Sequence, residues 1–234
     1  MTASPAMQVW LDGLDADSVL RAQGADAARV RARSPRLVAV AERTVREGVP
    51  LLDPRLTYCL LEVRLRETGR IVLEGGRALT GPLVARVLSG ATSVAVVAAT
   101  IGARLESRVS RMFGLDLPSA LALDGLGSCA VQALSLSARN LVRELARREG
   151  LRATAPLSPG MEGWPLEAGQ KEIFRLLDPV VSGVRLTSGG WMLPRKSLSM
   201  VFGLGPAGAD DGETCDTCTA RNSCRYRNRH GKPD

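Results

Sequence analysis

A fold that mixes helices with strands is what this sequence predicts, and three observations predict it. Residues 17–48 place apolar side chains at spacings of three and four, the helical period. Residues 56–65 switch to period two, with Cys59, Leu61, Val63 and Leu65 on one face and Glu62, Arg64 and Arg66 on the other, the mark of a half-buried strand. A third, wholly apolar piece, Ser93 to Ala99, reads as a strand buried on both faces and stands just before two long amphipathic helical patterns.

Taken in order, Asp17-Ser18 suits a helix cap ahead of Val19 and Leu20, and Ser34-Pro35 suits the cap and first turn of a second helix carrying Leu37, Val38, Val40, Ala41 and Val45. Glu67-Thr68-Gly69 turns the period-two strand back into Arg70–Leu73, a hairpin that Gly75-Gly76 ends. Gly81-Pro82 opens a short helix to Ser89. After the buried strand, Gly102 begins a helix with Leu105, Val109 and Met112 inside and Arg104, Glu106, Arg108 and Arg111 outside, ending at Gly114. The next helix runs from Ser119 to Glu149. Asp124, Gly125, Gly127 and Ser128 interrupt its apolar face; glycine inside a helix costs about 0.5–1 kcal/mol relative to alanine, so two so close together point to close backbone approach. Residues 152–170 form a Pro- and Gly-rich loop, a helix follows over Ala168–Leu177, and strands are expected at Gly183–Thr187 and Leu198–Leu204. No internal repeat or low-complexity tract is present.

At 234 residues the chain suits one domain, with a small appendage at most. Hydrophobic residues make up 45% and charged residues 24%, which excludes wholesale disorder and collagen-like architecture. Aromatics at 3% argue against binding single-stranded nucleic acid by stacking many bases. The net charge of +7 is dispersed: five basic residues against two acidic ones over 215–234 hold +3 of it, and much of the rest is Arg interleaved with Glu and Asp on helix faces. Nucleic acid is therefore not the expected partner. The N-terminus lacks a signal-peptide pattern, and the apolar run Val94–Ile101 is far shorter than the roughly 20 residues that span a bilayer, so a cytoplasmic protein without a membrane partner is expected.

Cys215-Asp216-Thr217-Cys218 followed by Cys224 is the strongest local signal, because thiolates two residues apart can grip one metal in a tight turn. His230, the one histidine, completes a possible Cys3His zinc knob; an iron-sulfur cluster would have three local cysteines and need a fourth ligand or an open iron. Free thiols in a tail are the alternative. Cys59 and Cys129 read as packing residues, with a distant fourth ligand as their other use. The loop Ser158, Pro159, Gly160, Met161, Glu162, Gly163, Trp164 combines backbone N–H groups, a carboxylate and an indole on a chain stiffened by prolines; it is either a ligand cradle or a structural loop whose Trp164 plugs the core. Arg195-Lys196-Ser197 can hold a carboxylate or phosphate, or be a solvated turn. Asp124–Ser128 either sets a carboxylate beside a ligand or kinks a helix. With a single His and no GxSxG or P-loop pattern, a hydrolytic triad or nucleotide hydrolysis has no support.

SPGMEGWPLEAGQKEIFRLLD from Ser158 and GVRLTSGGWMLPRKSLSMVFGLG from Gly183, with ATIGARLE at 99–106 and ALDGLGSCA at 122–130, resemble the activation domain of cobalamin-dependent methionine synthase, in particular free-standing relatives with a C-terminal Cys cluster. The resemblance spans roughly residues 55–205. It implies an α+β fold, a twisted antiparallel sheet flanked by helices; on the residues themselves, a helical segment at 1–54 precedes it and a Cys-rich basic tail at 206–234 follows it. The resemblance also implies S-adenosylmethionine bound by Ser158–Trp164 with Lys196 and Ser197, and cobalamin met only on a partner; the iron-sulfur cluster or zinc expected on Cys215, Cys218, Cys224 and His230 rests on their spacing, in a tail that the methionine synthase domain itself lacks. The partner would be a corrinoid protein or a separate methionine synthase core, with an electron-donor protein, and the role would be reductive reactivation of that corrinoid protein. A non-catalytic, zinc-stapled adaptor or chaperone of the corrinoid protein is the alternative. Methionine synthesis itself is not implied. The family's loop reads Arg-x-x-x-Gly-Tyr; aligning its Gly with Gly160 puts Pro156 at the Arg and Met161 at the Tyr. Losing the guanidinium that meets the ligand carboxylate costs about 1.5–3 kcal/mol unless Arg152, Arg195 or Lys196 replaces it.

Overall fold

The structure is a computed structural model and describes residues 13–177 and 183–206. Three helices open it: α1 (Ala16–Ala22), α2 (Ala27–Arg33) and α3 (Pro35–Gly48). Local capping divides them. The Asp15 carboxylate accepts from Ser18 N at 2.7 Å, Asp26 accepts from Arg29 N at 3.1 Å, and Pro35 occupies the first turn of α3. The helical pattern over 17–48 is thus real, but Asp26 adds a start that apolar spacing alone does not reveal.

The remaining elements are β1 (Arg55–Glu67), β2 (Arg70–Leu73), β3 (Ala78–Thr80), α4 (Pro82–Val87), β4 (Ser93–Thr100), α5 (Arg104–Met112), α6 (Leu117–Arg148), β5 (Arg152–Ala153), α7 (Leu166–Leu176), β6 (Arg185–Leu186), β7 (Met192–Leu193) and β8 (Ser197–Gly205). Six strands form one antiparallel sheet in the order β3-β2-β1-β4-β8-β5. The expected hairpin is present, with Glu67 opposite Arg70 and Arg66 opposite Ile71, and β3 extends it through Ile71 opposite Leu79; the register shifts between Val63 and Leu65, and Leu65, expected on the inward face, is exposed. Central strand β4 is buried from Val94 to Thr100, as its apolar composition requires. The expected strand at Gly183–Thr187 shrinks to β6, which pairs with β7 in a separate two-stranded ribbon, Arg185 opposite Leu193. β3 and β5 have three and two residues, too short for a periodic signal.

The chain divides into two compact units. Among the described residues the first comprises 13–57, 98–140 and 183–198. Its core gathers Leu14, Val19, Leu20, Ala41, Ile101, Leu105 and Leu126 with their neighbours. Gly125 answers the expectation of close approach: a Cβ there would lie 3.1 Å from the Val19 carbonyl oxygen and 3.1 Å from Gln23 Cγ, so α1 packs against the backbone of α6. Among the described residues the second unit comprises 58–97, 141–177 and 199–206, with Ile71, Leu73, Leu79, Leu88, Leu157, Trp164, Ile173 and Phe202 fully or almost fully buried. Arg66 tightens it by donating through Nε to the Ser89 carbonyl at 2.8 Å and through its guanidinium to the Ala91 carbonyl.

Helix α6 is long and apolar enough to cross a membrane by length and composition, and half of its most apolar window is buried within the protein. The uninterrupted run Val94–Ile101 does not reveal this, because Asp124 breaks the run in α6 without ending its helix.

Candidate ligand-binding loops

In the second unit, the chain leaves β5, bridges Leu157 to Val201 of β8, and turns through residues 158–165 into α7. The turn holds itself together. Met161 N donates to the Ser158 carbonyl at 3.2 Å, Trp164 N to the Met161 carbonyl at 2.9 Å, and Gly160 N to the Trp164 carbonyl at 2.8 Å. Gly160 and Gly163 have φ of 96° and 86°, left-handed values that a side chain would strain, so the two glycines close the turn. The N–H groups of Gly160, Met161 and Trp164 are consequently spent inside the loop. Ser158 Oγ donates to the Ser199 carbonyl at 2.9 Å, and Ser199 Oγ donates to Gln170 Oε1 at 3.0 Å, which fixes the loop to β8 and to α7. Pro159 is buried and Met161 half-buried, while Gly160, Glu162 and Gly163 are exposed.

Trp164 is fully buried. Its indole plugs the core under α7, where a Cβ on Gly169 would lie 2.7 Å from Trp164 Nε1 and 2.9 Å from Trp164 Cε2 and Pro159 Cβ. Among the described residues Trp164 Nε1 is the one buried side-chain nitrogen or oxygen without a hydrogen-bond partner. Gly169, Gln170 and Ser199 escape a reading by motif. The available signal was compositional, a small and a polar residue side by side on the inward face of α7.

In the first unit, Arg195–Ser197 lead from β7 into β8. Lys196 Nζ lies 3.0 Å from Asp124 Oδ1 and 2.8 Å from Ser128 Oγ. Its aliphatic stem lies over Gly127, whose Cβ would meet Lys196 Cε at 3.3 Å and Leu105 Cδ2 at 2.9 Å. The interruption in the apolar face of α6 is therefore the seat of this lysine. Ser197 Oγ is 2.6 Å from the Pro194 carbonyl and 2.8 Å from Thr100 Oγ1, and the Leu193–Pro194 peptide is cis. Arg195 donates its backbone N–H to Glu106 Oε2 at 2.9 Å and leaves its guanidinium largely in solvent.

Cys129 Sγ reaches the Ser18 carbonyl at 3.0 Å and Cys59 Sγ the Leu176 carbonyl at 3.6 Å; burial pushes the Cys59 thiol up. Both are half-buried packing thiols. Among the described residues no three His, Cys, Asp or Glu side chains are grouped to hold a metal ion. Cys215, Cys218, Cys224 and His230 lie outside the described residues.

No family model matches the chain, and no curated protein matches it in sequence. Among solved structures, it is similar to the MetH reactivation domain bound to AdoHcy, with a TM-score of 0.61 and 16% sequence identity over 76% of this chain and 67% of that one. The likeness establishes the architecture: the antiparallel six-stranded sheet with flanking helices is the fold of that reactivation domain.

Proposed function

We propose that the chain is an accessory protein for reductive reactivation of a cobalamin-carrying partner, a corrinoid protein or a methionine synthase core. One observation carries this reading, the shared fold with a reactivation domain whose crystal structure contains AdoHcy. In this reading, one electron from a donor protein would reduce the inactive cobalamin on the partner. The partner's cobalamin would then take the methyl group of S-adenosylmethionine held by this chain, leaving S-adenosylhomocysteine.

Each loop is assigned its ligand contacts by itself. Ser158–Trp164 supply a fixed turn on which exposed Glu162 suits the ligand's ammonium or hydroxyl groups. In the first unit, Lys196 and Ser197 are assigned to a ligand carboxylate through the Lys196 ammonium. For that, Lys196 must exchange its contact with Asp124. Cys215, Cys218, Cys224 and His230 are assigned to an iron-sulfur cluster or zinc.

A second reading, a corrinoid-protein adaptor without methyl transfer, is favoured by the three loop N–H groups being spent internally. Calorimetric titration of S-adenosylmethionine and S-adenosylhomocysteine into the full chain, alone and with a cob(II)alamin-loaded corrinoid protein, separates the two. Saturable heat supports the methyl-transfer reading. Absence of heat at about 1 mM ligand in both settings, a floor near −4 kcal/mol, leaves only the adaptor.

A further inference from the structure

Four large apolar side chains stand exposed within nine residues where α5 passes into α6: Phe113 at 59%, Leu115 at 86%, Leu117 at 48% and Leu121 at 46% of full exposure. Scattered exposed leucines are ordinary, but four in one short segment form a ridge that asks for a partner. The ridge is rigid. Asp116 caps α6, accepting from Ser119 N at 3.2 Å and Ser119 Oγ at 2.6 Å, and Arg43 donates to Ser119 Oγ at 3.1 Å. A surface already fixed pays little ordering entropy on binding.

Charge states what kind of surface fits. Arg104, Arg108 and Arg111 recur at spacings of four and three, so one basic stripe runs down the exposed flank of α5 toward Leu115, beside the inward Leu105, Val109 and Met112. Among the described residues no carboxylate pairs with Arg108 or Arg111. A second copy of this chain would bring one basic stripe against another, which like-charge repulsion opposes. A partner whose apolar patch is rimmed by carboxylates satisfies both the ridge and the stripe.

We infer that the ridge Phe113, Leu115, Leu117 and Leu121, flanked by Arg108 and Arg111, is the surface through which this chain grips its corrinoid protein, by an acid-rimmed apolar patch on that protein. The inference rests on the reactivation reading for the identity of the partner. The ridge supplies affinity as a buried apolar anchor, and the arginines supply orientation and association rate.

The test measures binding of the full chain to a cobalamin-loaded corrinoid protein by calorimetry, for the wild type, Leu115→Ser/Leu117→Ser and Arg108→Glu/Arg111→Glu. Every substituted side chain is exposed, and unchanged circular dichroism and thermal unfolding verify folding. The expected result is a loss of at least about tenfold in affinity for each double variant, with salt weakening the wild type more than the Arg variant. Wild-type binding left intact in both variants overturns the ridge while leaving the reactivation reading standing. No wild-type binding to any corrinoid protein removes the reading itself. Self-association that the ridge variants abolish, without any change in corrinoid-protein affinity, assigns the ridge to a second copy and likewise overturns the inference.

Discussion

Lys196 Nζ sits 3.0 Å from Asp124 Oδ1 while its stem covers Gly127, one turn along the same helix. The lysine side chain is only 22% exposed while Asp124 is 53% exposed, so the ammonium end of the pair is shielded and the carboxylate end meets solvent. Asp124→Asn should lower unfolding free energy by about 0.5–1.5 kcal/mol, because it leaves a mostly buried ammonium with Ser128 as its hydroxyl partner. Lys196→Met keeps the packed stem and should cost less. Urea unfolding of the two variants checks the order; an Asp124→Asn midpoint equal to wild type means the pair contributes nothing.

Gly169 lets the Trp164 indole lie against α7. Gly169→Ala forces a methyl to within 3 Å of a rigid ring and a proline, neither of which is the free end of a flexible chain. The expected cost is about 1–3 kcal/mol from overpacking, despite alanine's better helix propensity. Denaturant unfolding, with Trp164 emission read in a Trp10→Phe/Trp191→Phe background, should show lower stability and a displaced indole.

Trp164 pays for a buried N–H without a partner. Trp164→Phe discards that unpaired donor, and the gain offsets part of the lost packing, so a net change within about 1.5 kcal/mol is expected. Trp164→Ala should cost about 3–5 kcal/mol. If Phe proved as damaging as Ala, packing of the whole indole, rather than its six-membered ring and bulk, would be what the core needs.

Glu144 is held at about 2 by hydrogen bonds from Arg147 first and Arg148 second, below its ordinary value of 4.5. A depressed carboxyl adds stability above its unfolded value and loses it as pH falls through the folded one, so this contribution fades between about pH 4.5 and 2. The pair is exposed, so salt should screen it. Carboxyl NMR titration should find Glu144 titrating below the other exposed glutamates, and Arg147→Gln together with Arg148→Gln should return it to the ordinary range. Hydrogen bonds from Ser119, aided by Arg43, lower Asp116 in the same direction.

Cys215→Ser/Cys218→Ser tests the metal assignment on protein purified without oxygen. Iron and acid-labile sulfide in the wild type that vanish in the variant mean a cluster able to pass an electron to cobalt. Stoichiometric zinc without iron means a structural staple, with the electron coming from elsewhere. Neither metal in wild type overturns the assignment.

Period and composition determined most of this protein's elements. The alternation from Cys59 to Leu65 named the hairpin strand, the apolar Val94–Ala99 named a strand buried on both faces, and the glycines of α6 announced close approach, because each signal is written in neighbouring residues. The motif loop was legible as a fixed loop for the same reason. Its inner wiring was not: Ser158 meets Ser199, and Gly169 meets Trp164, through contacts between segments distant in sequence or on different faces of a turn. Only the tertiary structure decided that Trp164 plugs the core, that Lys196 is seated on Asp124 and Ser128, and that Phe113–Leu121 is left bare. Local periodicity reports which face is apolar; whether anything covers that face is decided by chain segments far away.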